Sequence, residues 1–262
     1  MERKHKNGAK RQMTRCILLV LLCCFVTSLS CQAQGDDFGI WTSIEVQKKI
    51  NKKWNVAAEA EMRTRDDVGT VDRWSGGLDV DYKIVKGLKL SAGYTYLYDN
   101  NLRQTFHSDG SLNKEAKYWG SRHRFLVSLT GEKSFGNFGL SLRERWQYTY
   151  RPEQSVAERY DYDDEDWDGE AKSWRGKGKN VLRSRLQAEY KLKPLKLTPY
   201  ASVEMYNAWS VQKMRYTLGT DWKITKQHAL SVYYRYQNVR QSDDFDNEPD
   251  RHILGVGYKF KF

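Results

Sequence analysis

Beyond residue 33 the chain contains no cysteine. All four, Cys16, Cys23, Cys24 and Cys31, lie near the N-terminus, so the remainder has neither a disulfide framework nor thiol chemistry. Prolines are scarce, four in 262 residues, and little therefore interrupts backbone hydrogen bonding. After residue 29 no apolar run approaches the ~20 residues of a membrane helix. Strong net charge is also missing. The formal charge is +11, of which residues 1–33 supply +5 through six Lys/Arg against Glu2, leaving +6 for residues 34–262. That balance is mild and argues against a nucleic-acid partner.

What is present begins with the leader. Residues 1–15 are basic, the apolar run "CILLVLLCCFVTSL" spans Cys16–Leu29, and "SCQAQ" follows. A charged region, an apolar region and a small residue before the cut define a secretory signal peptide, with cleavage expected after Ala33. Lipoprotein processing at Cys31 would require Leu three residues upstream, where Ser28 stands. Residues 1–33 are therefore assigned to the signal peptide and 34–262 to one exported domain.

In that domain apolar and polar residues alternate with period two, the signature of strands. Strands are expected near 38–47, 54–65, 71–83, 88–98, 118–131, 138–150, 181–191, 197–208, 211–223, 228–240 and 251–262. Several exceed the ~5–6 residues usual in soluble sheets and match the ~9–11 of a tilted membrane strand. One face carries aliphatic residues mid-strand and Trp/Tyr toward the ends, as in "WNVAAEAEM" and "LKLSAGYTYLY". The other face is charged. Connections alternate between lysine-rich turns ("KKINKK", "KIVKGLK", "KLKPLK", "KITKQ") and longer polar ones. An apolar band, aromatic girdles, short periplasmic turns and long outer loops describe a transmembrane up-and-down antiparallel β-barrel of about 10–12 strands. A soluble sandwich is the structural rival. The eleven strands read from the sequence break the even number expected of a closed antiparallel barrel, so one of them should be merged, spurious or outside the wall.

The end of the chain agrees with this class. In "ILGVGYKFKF" Tyr258, Phe260 and Phe262 alternate, like the C-terminal insertion signal of outer-membrane proteins. The stretches "DFGIWTSIEVQKKINKKWNVAAEAEMRTRDD", "DRWSGGLDVDYKIVKGLKLSAGYTYLYD" and "RHRF" resemble the domain of unknown function 2490 family of bacterial outer-membrane β-barrel proteins. The resemblance implies that fold and the bacterial outer membrane as location. It assigns no functional residues. Expected partners are outer-membrane lipid, lipopolysaccharide and, during biogenesis, the barrel-assembly machinery.

Three constellations could carry chemistry. Arg-x-Arg pairs on three successive strands, Arg122/Arg124, Arg143/Arg145 and Arg183/Arg185, face inward. The early strands offer Glu59, Glu61, Asp79 and Asp81. Across water these sets would form a transverse field, as charged rings do in pores. Without water they would form a salt-bridge plug. Second, Asp164, Asp166 and Asp168 followed by Gly169 match the first half of a calcium loop, although Arg175 stands where the bidentate Glu belongs. The plainer reading is a solvated acidic loop. Third, alternation turns Ser121, His123 and Glu144 toward lipid. A hairpin around Lys133–Gly136 would set Glu144 diagonally beside His123, as in a lipid-facing esterase. The bland alternatives are a bulge turning Glu144 inward and a His–Glu pair at headgroup depth. His107, His228 and His252 lack metal-ligand spacing, and no cofactor is called for. The leading expectation is a narrow porin-like channel for small solutes, carboxylates and phosphates among them. A side-chain-filled barrel acting through its outer loops comes second, and a lipid-modifying enzyme third.

Overall fold

The computed structural model of the protein describes residues 36–241 and 248–262. The leader with its expected cut after Ala33, and residues 242–247 of the last long connection, lie outside the described residues. Fifteen strands occur among the described residues: β1 (Asp37–Lys49), β2 (Trp54–Arg65), β3 (Thr70–Val85), β4 (Leu88–Phe106), β5 (Leu112–Phe135), β6 (Phe138–Arg151), β7 (Gln154–Val156), β8 (Tyr160–Asp161), β9 (Asp166–Trp167), β10 (Lys172–Trp174), β11 (Lys177–Tyr190), β12 (Leu197–Asn207), β13 (Val211–Lys223), β14 (His228–Val239) and β15 (Arg251–Lys261). The eleven long ones, β1–β6 and β11–β15, form a closed wall. They are the eleven expected from the periodicity, and none is merged or spurious.

The odd number is resolved at the seam. Neighbours around the wall are antiparallel except β1 and β15, which run parallel from Asp37↔Arg251 to Gln47↔Lys261. An odd count makes the first and last strands point the same way, and a parallel ladder still pairs the backbone groups that lipid cannot satisfy. Hydrogen bonds complete both ends of the seam, with Asp37 N–H donating to Asp250 O at 3.0 Å and Phe262 N–H to Gln47 O at 2.9 Å.

Short turns close one end of the wall. The turn after Phe135 is tight because Gly136 adopts φ +62°. At Gly87, φ is +84° and a Cβ would meet the Glu132 carbonyl oxygen at 2.6 Å, so no other residue fits without displacement. At the opposite end the segment "DNNLRQTFHSDGSLNKEAK", expected as a loop, is instead a hairpin. β4 and β5 stay paired from Asp99↔Gly120 to Phe106↔Leu112. The apolar alternation ends near Tyr98, while the hydrogen-bond ladder continues to Phe106↔Leu112. Within 152–176, β8 pairs with β5 and with β9, and β7 pairs with β10.

The outward face carries Leu78, Leu186 and Leu218, each more than half exposed, the pattern of a surface solvated by acyl chains. Aromatic pairs gather at both ends of the apolar band: Trp54–Tyr82 and Phe260–Phe262 at the turn end, Tyr98–Trp119 at the loop end. Tyr258 donates to or accepts from His228 Nδ1 at 2.6 Å, and Phe262 follows β15.

The parallel seam makes a direct prediction. Residues 34–262 contain no cysteine, and Thr42 lies opposite Val256. Thr42→Cys with Val256→Cys should form an oxidative cross-link that changes gel mobility, since such neighbours satisfy disulfide spacing. A folded double variant that stays uncross-linked would contradict this seam.

Candidate functional site: a charged lumen

All six ladder arginines project into the lumen, and their pairing is set by register. On β6 and β11, Arg143 faces Arg185 and Arg145 faces Arg183. Like charges directly opposite repel, so this patch needs an acid. Glu204 on β12 supplies it. Its carboxylate accepts from Arg143 Nη2, from Arg183 Nη2 at 3.1 Å to each oxygen, and from Tyr206 Oη at 3.3 Å. The side chain is only 8% exposed. Asp99 plays the same part nearer the loop end, held between Arg73 and Arg122, the latter at 2.6 Å. Neither acid was singled out from the sequence. Their inward parity was visible, but their choice of partner depends on which strands become neighbours.

The early acids do not meet the ladder. Glu61 pairs with Arg63 on its own strand at 2.7 Å. Asp81 accepts from Ser91 Oγ at 2.6 Å and Lys89 Nζ at 3.3 Å. Glu45 takes Lys259 at 2.9 Å across the seam. Glu59 and Asp79 form no ion pair with a described residue, and neither do Arg124, Arg145 and Arg185. Arg145 donates Nε to Ser128 Oγ at 2.8 Å, and Arg124 donates Nε to Thr149 Oγ1 at 3.3 Å.

Two cavities occupy the lumen. One of about 550 Å³ opens toward the turn end, and one of about 310 Å³ lies toward the loop end. Both are lined by Glu59, Asp79, Arg143, Arg145 and Arg185. Opposite charges thus confront each other where the two spaces meet.

Around the smaller cavity, toward the loop end, rings and cations are stacked on one another. Trp41, 3% exposed, lies under the guanidiniums of Arg63 at 3.7 Å, Arg215 at 5.0 Å and Arg235 at 5.2 Å. Tyr206 is flanked in the same way by Arg183 at 4.5 Å and Arg215 at 4.7 Å. Such contacts partly compensate cations withdrawn from water. Glu248 reaches in from the last long connection to Lys213 at 2.8 Å and Gln237 Nε2 at 2.9 Å. Trp41 escaped the sequence reading, although a signal existed: it shares parity with Glu45, whereas the other wall tryptophans share parity with the aliphatic residues.

The esterase constellation is not assembled. The β5–β6 turn lies at 136–137, so Glu144 pairs opposite Leu129 and His123 opposite Tyr150. Six strand positions, ~20 Å at 3.3 Å per residue, separate Glu144 from the level of His123. Glu144 instead accepts from Ser184 Oγ at 2.6 Å, and His123 Nδ1 pairs with Tyr94 Oη at 2.8 Å. Ser121 lies opposite Tyr98 on β4. The expectation failed because the turn sits further along the chain than supposed, and every cross-strand pair moves with it.

The calcium reading is corrected as well. The Asp168 carboxylate is taken by Lys114 at 3.1 Å, Arg159 at 2.8 Å and the Arg159 and Glu170 N–H groups. Asp166 Oδ1 accepts from Trp167 N–H. No group of His, Cys, Asp or Glu among the described residues, Asp164 included, is arranged to hold a metal. The Arg159 N–H first, then the Glu170 N–H and Lys114, hold the Asp168 carboxyl well below the usual carboxylate range.

The model of a family described as a protein of unknown function (DUF2490) matches residues 38–248. Among solved structures the chain is similar to the β domain of the Bordetella autotransporter Brka, at 16% identity over 80% of this chain and 83% of that one, TM-score 0.52. It is also similar to the translocator domain of the autotransporter NalP from Neisseria meningitidis, at 14% identity over 82% and 77%, TM-score 0.52. A third similar structure is the NanC porin, at 14% identity over 86% and 98%, TM-score 0.46. None of the curated protein sequences matches the chain. Identities at this level carry the fold alone.

Two outcomes are expected. Glu204→Gln leaves Arg143 and Arg183 without their acid, and breaking a buried pair costs ~3–5 kcal/mol, readable as a lower denaturant midpoint for loss of the folded gel band. The second concerns pH. A carboxyl held low when folded contributes stability that is complete above its unfolded value of about 4 and is lost as pH falls below it. Protease protection of 152–176 should therefore stay level from neutral pH down to about 4 and decline below.

Proposed function

Because the chain belongs to the DUF2490 family of proteins of unknown function and folds as a barrel of outer-membrane type, we propose that it resides in the bacterial outer membrane as a narrow channel for small anionic solutes. The observation that carries this reading is the meeting point of the two cavities. Glu59 and Asp79 face Arg143, Arg145 and Arg185 there, and Glu59, Asp79, Arg145 and Arg185 have no ion-pair partner among the described residues. Isolated charges are too costly for a dry interior, so water fills the space between them. A wet constriction with cations on one wall and acids on the other orients a passing dipolar solute. The guanidiniums favour carboxylates and phosphates through paired hydrogen bonds.

A second reading, a filled barrel acting through its outer loops, draws support from the packed loop end around Trp41 and Asp99. Conductance separates the two. In planar bilayers under a salt gradient the wild type should conduct with anion preference, and Arg145→Ala with Arg185→Ala should shift the reversal potential toward cations. The pair lacks an acid partner, so folding stability should change little, unlike the loss of Glu204. A wild type that passes no current would sink the channel and leave the filled barrel. The location is tested separately, by a heat-modifiable band in the outer-membrane fraction.

A further inference from the structure

The turn end of the barrel carries a feature that the lumen does not use. Turns 191–196 and 224–227 stand side by side because β12 and β13 are paired at Leu197↔Trp222. They are tied together by Lys223 N–H to Lys196 O at 2.9 Å and Lys196 Nζ to Ile224 O at 3.4 Å. Between them lies a cavity of about 700 Å³. Its lining includes Lys191, Lys193, Lys196, Lys223, Lys226 and Lys261, and no carboxylate. Leu192, Leu197 and Ala229 supply an apolar floor. Lys191 is paired with Glu189 at 3.1 Å, but Lys193, Lys223, Lys226 and Lys261 form no ion pair with a described residue.

The four lysines without an acid partner repel one another, and an anion among them would relieve that repulsion. The hollow's own lining also says what else that anion carries. His228 lines it and packs against Phe260 at 5.1 Å, within the aromatic girdle that marks the boundary between acyl chains and headgroups. The same hollow thus offers lysines to a charge and Leu192 and Leu197 to an apolar group. Lysine binds phosphate as a point charge without strict geometry, which suits a mobile lipid. We propose that this hollow is a binding site for one anionic glycerophospholipid of the periplasmic leaflet. The phosphate would be held by Lys193, Lys196 and Lys226, and the start of an acyl chain would lie on the leucines. The inference goes beyond the channel reading and is independent of it, since it requires only the fold and its orientation.

The test is native mass spectrometry of the delipidated full-length protein titrated with phosphatidylglycerol or phosphatidylcholine. Each basic residue near a lipid surface contributes enough that phosphatidylglycerol should be retained about tenfold better. Lys193→Glu with Lys196→Glu and Lys226→Glu should bring the two lipids to parity while the heat-modifiable folded band persists. Lys83→Glu with Lys86→Glu and Lys133→Glu, on the opposite side of the same end, should leave the preference intact. Equal retention of both lipids by the wild type overturns the proposal, and this arm stands even if a charge-reversed variant does not fold. A preference that survives in the folded first variant, or vanishes equally in the second, also overturns it. Displacement of phosphatidylglycerol by inorganic phosphate would assign the hollow to a soluble anion and end the lipid assignment.

Discussion

Every backbone N–H and C=O at membrane depth must find a partner inside the protein, because acyl chains offer none. For a chain of strands this means that the sheet has no free edge. The ladder from β1 round to β15 meets this demand with eleven strands, and it does so by letting the first and last strands run parallel. The preference for even numbers reflects the convenience of all-antiparallel pairing. The underlying requirement is closure, and closure is compatible with one parallel seam.

Closure also decides what the interior must do. Period-two alternation sends half of every strand inward, and in this chain that half is rich in charge. The lumen therefore sorts its ions by depth. Near the loop end, charges are neutralised in close groups around Asp99, Glu204 and Glu248, with Trp41 and Tyr206 flanked by guanidiniums. Where the two cavities meet, Glu59, Asp79, Arg145 and Arg185 are left apart, while nearer the turn end Asp81 and Glu45 again take lysines. The paired groups add rigidity at the cost of desolvation, whereas the separated groups have no ion-pair partner among the described residues to offset that cost.

The exterior is sorted along the same axis. The loop end carries the acidic segment 158–170, with Asp161 and Asp168 docked on Lys114 and Arg159. The turn end carries lysines at nearly every turn. Beyond the reach of lipid the same ladder that forms the wall continues as the β4–β5 hairpin, and β8 and β9 build on its edge.

The sequence by itself determined the strands, their faces and the class of fold. Those properties are local: period two, strand length, girdle aromatics and lysine turns can be read residue by residue, and all eleven wall strands stood where the alternation put them. Partnerships were not legible. Glu204 serves Arg143 and Arg183 only because the connection of residues 152–176 returns β11 to β6 and β12 lies next to it. Ser121, His123 and Glu144 separated because a turn moved along the chain, and a strand's alternation is the same in either register. Asp168 had the spacing of a ligand, but Lys114, 54 positions away, claimed it first. Which charge meets which is a question of register and closure, and those are settled only when the sheet has found all of its neighbours.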